Sequence, residues 1–229
     1  MSKKFLTHTL SALVLLSFVG PAGAIALGQL DDFQDGTTAL WTNGGGIALP
    51  VVNIATGGPA GAGDRYIQVT ATSQTAPRLT TFNRNQWLGD YIAAGVTAIE
   101  FDLINQGSVT LSIRLAFKTD TSQASSGYLS LPVILAPGSG WQHFSISITA
   151  ANLTALFGPA AYNTFFQNGF AELRIINEAG SLNLNGDPVV GQLGIDNIRA
   201  VPEPTITMLA LGGLLVIGGR LLRRQRRKS

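Results

Sequence analysis

Few side chains in this 229-residue chain could carry out nucleophilic or metal-assisted catalysis. It contains two histidines, His8 and His143, and no cysteine. A Ser/His/Asp or Cys/His relay needs a histidine beside its nucleophile, and an ordinary zinc site needs several histidines or cysteines. His8 lies in the N-terminal leader, and His143 is out of step with the apolar residues after it. His143 is therefore predicted to face solvent without a catalytic role.

Paired carboxylates are the other possible source of catalysis, because glycoside hydrolysis uses two acids that face a cleft. Glu100 and Asp102 alternate along one predicted strand, and Glu172 and Glu178 are the remaining candidates. Acids that alternate with apolar residues usually form the solvated face of a strand. The sequence therefore favours a protein that is not an enzyme, with a glycan-active enzyme as the weaker alternative.

Aromatic side chains offer a different kind of chemistry, because the apolar faces of pyranose rings pack on them. Trp87 and Tyr91 lie in residues 83–91, a polar stretch rich in amides. We predict that these two side chains form a glycan-binding surface, whereas Trp41 and Trp141 are predicted to be buried.

The elements that position these residues are predicted to be strands. In residues 108–118, apolar residues alternate with polar ones, which is typical of a half-buried strand. The same reasoning predicts further strands at residues 65–71, 96–103, 127–135, 144–148, 170–176 and 192–200. Only residues 150–157 are predicted to be helical. Many short strands between turns rich in glycine predict an all-β fold, an antiparallel β-sandwich formed by residues 25–200.

Both ends of this domain resemble jelly-roll domains of the carbohydrate-binding-module type. Residues 31–37 (DDFQDGT) are similar to their first strand, and residues 195–199 (IDNIR) are similar to their last strand. The resemblance implies that these two strands are neighbours and that a structural calcium ion lies beside them. Asp31, Asp35 and Asp196 are the expected ligands, since calcium prefers oxygen donors. Turn and capping roles for these acids are the alternative.

The N-terminus has the pattern of a secretory signal peptide, predicted here for residues 1–24. Lys3 and Lys4 precede an apolar run, and Ala22-Gly23-Ala24 provides the small side chains of a signal-peptidase site. Cleavage after Ala26 is an alternative. The protein is therefore expected to use signal peptidase and the general export machinery, and without cysteine its exported domain has no disulfide bond.

The C-terminus combines a proline-bounded break, an apolar segment and a basic end. Pro202-Glu203-Pro204 precedes residues 205–222, which are just long enough to cross a bilayer as a transmembrane helix. The basic end, with the tail at residues 223–229, carries Arg220, Arg223, Arg224, Arg226, Arg227 and Lys228. These cations place this end in the cytoplasm by the positive-inside rule. On these grounds alone the segment is a plain membrane anchor.

The order of these three parts at residues 201–229 resembles the PEP-CTERM sorting signal of Gram-negative bacteria that make exopolysaccharide. The resemblance implies that an exosortase recognises residues 202–204 and removes the tail. The protein is then anchored in the inner membrane only in transit, and it reaches the cell surface or the extracellular space.

Charge supports this division of the chain. The whole protein has a formal charge of +2, but residues 25–201 hold seven Lys and Arg against twelve Asp and Glu, a net charge of −5. Binding of nucleic acid by a basic patch is therefore not expected. The sequence predicts an exported protein of the cell surface or matrix that associates with extracellular polysaccharide. A structural or adhesive envelope protein without a specific ligand is the alternative.

Overall fold

The computed structural model describes residues 24–44, 49–73, 75 and 78–202. Most of the predicted signal peptide, the predicted transmembrane helix and the basic tail lie outside these residues, as do Ala22, Glu203 and Pro204. Within the described ranges, no helix is both long and apolar enough to span a membrane.

The described chain forms twelve strands and two short helices. The helices are α1 (Tyr91–Ala94) and α2 (Tyr162–Asn168). The strands are β1 (Leu30–Asp31), β2 (Val52–Ile54), β3 (Tyr66–Ala71), β4 (Thr80–Asn83), β5 (Ala98–Asn105), β6 (Leu111–Lys118), β7 (Gly127–Ser130), β8 (Val133–Leu135), β9 (Gln142–Ser147), β10 (Leu153–Leu156), β11 (Glu172–Asn177) and β12 (Gly191–Val201).

Two antiparallel sheets pack face to face, as the alternating sequence pattern predicts. Sheet A has the strand order β2-β3-β12-β5-β9, with β1 also paired to β12. Sheet B has the order β10-β7-β6-β11-β4, with β8 also paired to β6. The predicted neighbourhood of the first and last strands is confirmed, because Leu30 pairs with Arg199 and Asp31 pairs with Ile198.

The core lies between the sheets and follows the period of two along each strand. Leu111, Ile113, Leu115 and Phe117 of β6 are all buried in it. Burial of one such side chain contributes about 1.5–3 kcal/mol of transfer free energy. The predicted β-sandwich is therefore confirmed, and its strands agree with most of the predicted ranges.

Two details of the predicted elements are wrong. Residues 150–157 do not form a helix: a single 3₁₀ turn is followed by β10, which pairs with the edge of β7. The backbone of residues 153–156 gains a row of sheet hydrogen bonds there, which an isolated two-turn helix could not match. Residues 127–135 form two strands, because Pro132 cannot donate a backbone hydrogen bond where the chain bends.

The outward faces of the two sheets differ in how they are covered. On sheet B, Leu184 from the segment between β11 and β12 packs on a small apolar group formed by Ala116, Leu129 and Ile176. Leu184 is itself buried. On sheet A, several outward side chains of β5 and β9, among them His143, remain accessible. Sheet A therefore offers the more open face.

Asp31 connects strand β1 to two long connecting segments. Its Oδ2 atom accepts hydrogen bonds from Trp41 Nε1 at 2.8 Å and Trp87 Nε1 at 2.7 Å, and Gln86 Nε2 lies 3.2 Å away. Both tryptophan side chains are buried, with their rings 6.0 Å apart. Burial raises the pKa of Asp31, while the hydrogen bonds from Trp87 and Trp41 oppose that rise. These contacts give Asp31 a structural role.

Replacement of Asp31 by alanine should lower the free energy of unfolding by roughly 2–4 kcal/mol, because two buried indole N–H groups lose their acceptor. Asp31→Asn should lose less, since its amide oxygen can still accept. Chemical denaturation followed by tryptophan fluorescence measures the difference. Asp35→Ala is the matched control, because Asp35 is exposed. Equal stability of the Asp31→Ala and Asp35→Ala proteins would contradict this role for Asp31.

Candidate functional site

The outward face of sheet A brings together aromatic, amide and acidic side chains from four strands. Strand register places Gln68 of β3, Gly194 of β12 and Ile104 of β5 side by side. Leu103 pairs with Gln142, the first residue of β9, so Trp141, which directly precedes β9, continues the same row beside Ile104. In the next row, Asp196, Asp102 and His143 are neighbours. We call this face the sheet A surface.

Tyr66 and Trp141 meet on the sheet A surface above a glycine. Their rings pack edge to face, with centroids 5.1 Å apart and an interplanar angle of 79°. A Cβ atom at Gly194 would lie 2.5 Å from Ile104 Cγ2 and 3.1 Å from carbon atoms of both rings. Glycine at this position therefore allows the two rings to approach the backbone of β12. Trp141 Nε1 also donates to Gly57 O at 2.8 Å, which holds the indole in place.

A chain of amide hydrogen bonds runs beside this ring pair. Gln68 Nε2 donates to Gln106 Oε1 at 2.8 Å, and Gln106 Nε2 donates to Tyr66 Oη at 2.9 Å. Each amide keeps further donor or acceptor capacity, because a glutamine side chain offers two donors and one acceptor oxygen. Because the Tyr66 ring is buried, the surface presents part of the Trp141 indole next to groups that can bind hydroxyls.

Acidic residues and the histidine form the second part of the sheet A surface. His143 Nδ1 lies 2.9 Å from Asp102 Oδ1, and His143 Nε2 lies 4.0 Å from Glu100 Oε2. Asp102 Oδ2 accepts from Asn197 Nδ2 at 2.7 Å. The prediction that His143 faces solvent is confirmed, since 60% of its side chain is exposed. The shared outward position of Glu100 and Asp102 is confirmed by their register opposite Ser145 and His143.

Asp196 is buried beside these residues, at an irregularity in β12 that lies between residues 196 and 199. Its Oδ1 atom accepts from the backbone N–H of Asn197, whose φ is +51°, whereas its Oδ2 atom has no hydrogen-bond partner among the described residues. Burial raises the pKa of Asp196 to about 7, the Asn197 hydrogen bond opposes this rise, and the charges of Asp64, Asp102 and Asp32 add to it. An unpaired buried carboxylate oxygen among other acids is the environment that a cation would stabilise.

The three acids predicted to bind calcium have different surroundings. Asp31 Oδ2 already accepts from the two indoles, and Asp35 Oδ1 accepts from the backbone N–H and the hydroxyl of Thr37. These bonds lower the pKa of Asp35, as in an ordinary turn. Of the three, Asp196 alone has a buried carboxylate oxygen without a hydrogen-bond partner among the described residues. No group of three or more acidic or histidine side chains in the described ranges is arranged as a metal site. A calcium ion at Asp196 would therefore need backbone carbonyl ligands as well.

The predicted glycan-binding surface at Trp87 and Tyr91 is wrong, because both side chains are buried. Trp87 donates to Asp31, and Tyr91 packs among Phe117, Phe166 and Phe170 while its hydroxyl donates to Trp87 O at 2.8 Å. The amides of Asn83 and Gln86 bind the backbone and the side chain of Asp31 instead of a ligand. Asn83 Nδ2, for example, donates to Ala39 O at 3.1 Å.

Trp41 is buried as predicted, whereas Trp141, also predicted to be buried, is half-buried on the sheet A surface. The signal for Trp141 was present in the sequence. Phe144 and Ile146 point inward along β9, so period two places positions 141, 143 and 145 on the outward side. Trp141 was nevertheless predicted to be buried, because tryptophan is a large apolar residue.

Comparison with solved structures finds the same type of fold in carbohydrate-binding proteins. A family 11 carbohydrate-binding module from Clostridium thermocellum, in complex with a beta-1,3-1,4-mixed-linked tetrasaccharide, is 17% identical with a TM-score of 0.51, covering 77% of this chain and 97% of that chain. The family 11 module of the cellulosomal cellulase Lic26A-Cel5E of Clostridium thermocellum is 13% identical with a TM-score of 0.51, covering 77% and 95%.

An exo-beta-agarase is also similar, with 13% identity and a TM-score of 0.53, but the alignment covers 78% of this chain and only 26% of the agarase. No protein-family model matches the sequence, and a search of curated proteins found no match. The structural similarities show an all-β, two-sheet antiparallel sandwich of the jelly-roll carbohydrate-binding-module type. The predicted resemblance to these modules is therefore confirmed at the level of the fold.

Proposed function

We propose that the domain is a non-enzymatic, exported module that binds extracellular polysaccharide through the sheet A surface. The observation that carries this proposal is the half-buried indole of Trp141 on an outward sheet face, packed against the buried ring of Tyr66 and next to the amides of Gln68 and Gln106. An apolar ring beside amides that can form further hydrogen bonds is complementary to a sugar ring, which has apolar faces and a rim of hydroxyls.

Two further observations support this function. The fold is shared with a module that was solved in complex with a tetrasaccharide. The ring of Trp141 is also held by the Gly57 hydrogen bond and by Tyr66, so little conformational entropy remains to be lost when a ligand packs on it. A structural or adhesive protein without a ligand is the alternative, and the next experiment separates the two.

Trp141→Ala should abolish or strongly reduce retention on polysaccharide, because the stacking surface is removed. Affinity gels that contain the host's exopolysaccharide or mixed-linked β-glucan measure retention. Phe157→Ala is the matched control, since Phe157 is a 66% exposed aromatic residue that follows β10 of the other sheet. It should leave retention unchanged. The proposal would be contradicted if the Trp141→Ala protein were retained as well as the wild type, or if neither protein were retained.

We further propose that the domain reaches the cell surface or the extracellular space through an exosortase, after transit as an inner-membrane protein. The support is the order of Pro202-Glu203-Pro204, the apolar segment and the basic end, together with the N-terminal leader. Cleavage near residues 202–204 would release a domain with an acidic net charge, since six cations leave with the tail.

Intact-mass measurement of the protein secreted by its host should therefore find a mature N-terminus after Ala24 or Ala26 and a C-terminus close to residue 204. Deletion of the exosortase gene should restore the full-length C-terminus. A full-length C-terminus in the wild-type host would instead support the plain anchor.

A structural calcium ion at Asp196 is the third part of the proposal. Asp196 Oδ2 supplies the free ligand atom, and the negative charges of Asp64, Asp102 and Asp32 lie near it. When bound, calcium would supply positive charge that offsets the burial of this carboxylate. Backbone carbonyl oxygens would complete the coordination.

Calcium should raise the melting temperature of chelator-treated protein at pH 8 and much less at pH 5.5. The pKa of Asp196 is raised to about 7, so the folded metal-free protein holds a proton there at pH 5.5, and calcium must displace it. Asp196→Asn should remove the calcium response, while Asp35→Asn should keep it. A calcium response that survives in the Asp196→Asn protein would place the ion elsewhere.

A further inference from the structure

The outward face of sheet B contains a group of cations that the proposed function does not use. Three strands contribute to it, because Glu172 of β11 pairs with Lys118 of β6, and Arg174 pairs with Phe82 of β4. Arg84 follows β4 directly. We call Arg84, Lys118, Glu172 and Arg174 the cation cluster.

Glu172 is the only carboxylate among the described residues in direct contact with these cations. It is wholly buried and accepts from Arg84 Nε at 2.5 Å and from Arg174 Nε. Its two oxygens are thus occupied by two guanidinium groups. One negative charge therefore faces two positive charges before Lys118 is counted.

Lys118 adds a third positive charge without a carboxylate partner. Its side chain is buried, and Nζ donates to Ser122 O and Asn185 Oδ1, both at 2.8 Å. Burial and the charge of Arg174 lower the pKa of Lys118 to about 8. The charges of Glu172 and Asp120 oppose this lowering, and the charge of Arg84 adds to it. The ammonium group thus lies in a region with too much positive charge, which a bound anion would relieve.

Arg84 connects this buried charge to solvent. Its guanidinium lies 4.2 Å from the ring centroid of Phe82, and Glu172 holds its Nε atom. Among the described residues, its two Nη atoms have no hydrogen-bond partner, and 41% of the side chain is exposed. A guanidinium that is stacked and anchored in this way presents a fixed pair of donors, the geometry that binds a planar carboxylate with two parallel hydrogen bonds.

We propose that the cation cluster binds the carboxylate of an acidic sugar unit, such as a uronic acid residue, with Arg84 as the contacting side chain. This second site lies on the sheet opposite the Tyr66–Trp141 pair, and it rests on the proposed function only for the class of its ligand. A long polyanion such as nucleic acid fits less well, because residues 25–201 carry a net charge of −5. Binding of a single carboxylate needs only the local excess of positive charge in the cation cluster.

The test is calorimetric titration of the purified protein with an alginate oligosaccharide and with the same oligosaccharide after reduction of its carboxyl groups. The intact oligouronate should bind, and the reduced one should bind roughly tenfold more weakly or worse. Arg84→Gln should show the same loss with the intact ligand. Arg78→Gln is the matched control, because Arg78 is exposed and belongs neither to the cation cluster nor to sheet A, and the variant should bind as the wild type does.

Equal affinity for the two oligosaccharides, no binding of the oligouronate, or an equal loss in the Arg78→Gln protein would overturn the proposal. Inorganic phosphate at the same concentration should compete only weakly, and competition as strong as that of the oligouronate would also overturn it. Because Trp141→Ala leaves the cation cluster intact, carboxylate-dependent binding should persist in that variant. The proposals for the two sites can therefore be contradicted independently of each other.

A second measurement does not depend on how well the Arg84 variant folds. A bound carboxylate raises the pKa of Lys118, which lies at about 8, so binding at pH 8 should take up protons from the buffer. Titrations of the wild-type protein in two buffers with different ionisation enthalpies measure this uptake. Binding without proton uptake would place the ligand away from Lys118 and contradict the proposal.

Discussion

The hydrogen bonds of one buried oxygen, Oδ2 of Asp31, hold together parts of the chain that the sheets alone do not. Strand β1 contributes only two residues to sheet A. The segments that carry Trp41 and Trp87 lie between strands and have few ladder hydrogen bonds of their own. By accepting from both indoles, Asp31 fixes these segments to the end of the last strand. A carboxylate oxygen suits this task, because one such atom can accept several hydrogen bonds and these offset the cost of its burial.

Strand length decides which parts of the fold could be predicted from sequence. Strands with long alternating patterns, such as β3, β6 and β12, were predictable because one face is buried along their whole length. The short strands β2 and β4 were not, because three or four residues do not establish a period. The predicted glycan-binding surface in residues 83–91 was wrong for a different reason. The amides of Asn83 and Gln86 bind a backbone carbonyl and Asp31, and Asp90 caps helix α1. Composition alone cannot distinguish such internal partners from a ligand.

The candidate site shows a related limit. The outward position of His143, Glu100 and Asp102 followed from alternation. The ring pair of Tyr66 and Trp141 depends on Gly194 in a third strand, so it required knowledge of the strand order. The cation cluster likewise joins residues from three strands that are up to 90 positions apart in the chain. Contacts across a sheet depend on register, which no local pattern in this sequence specifies.

The position of the last strand has a consequence for the tail. The ladder of β12 ends at Val201, where its carbonyl oxygen accepts from Thr97 N and its residue pairs with Ala98. Pro202, which follows, has no N–H group and is exposed. All strand pairing of the described sandwich therefore ends before Pro202-Glu203-Pro204 begins. Scission of the chain beyond Pro202 would break none of its sheet hydrogen bonds, so the fold of the described residues does not depend on a covalent link to the residues that follow.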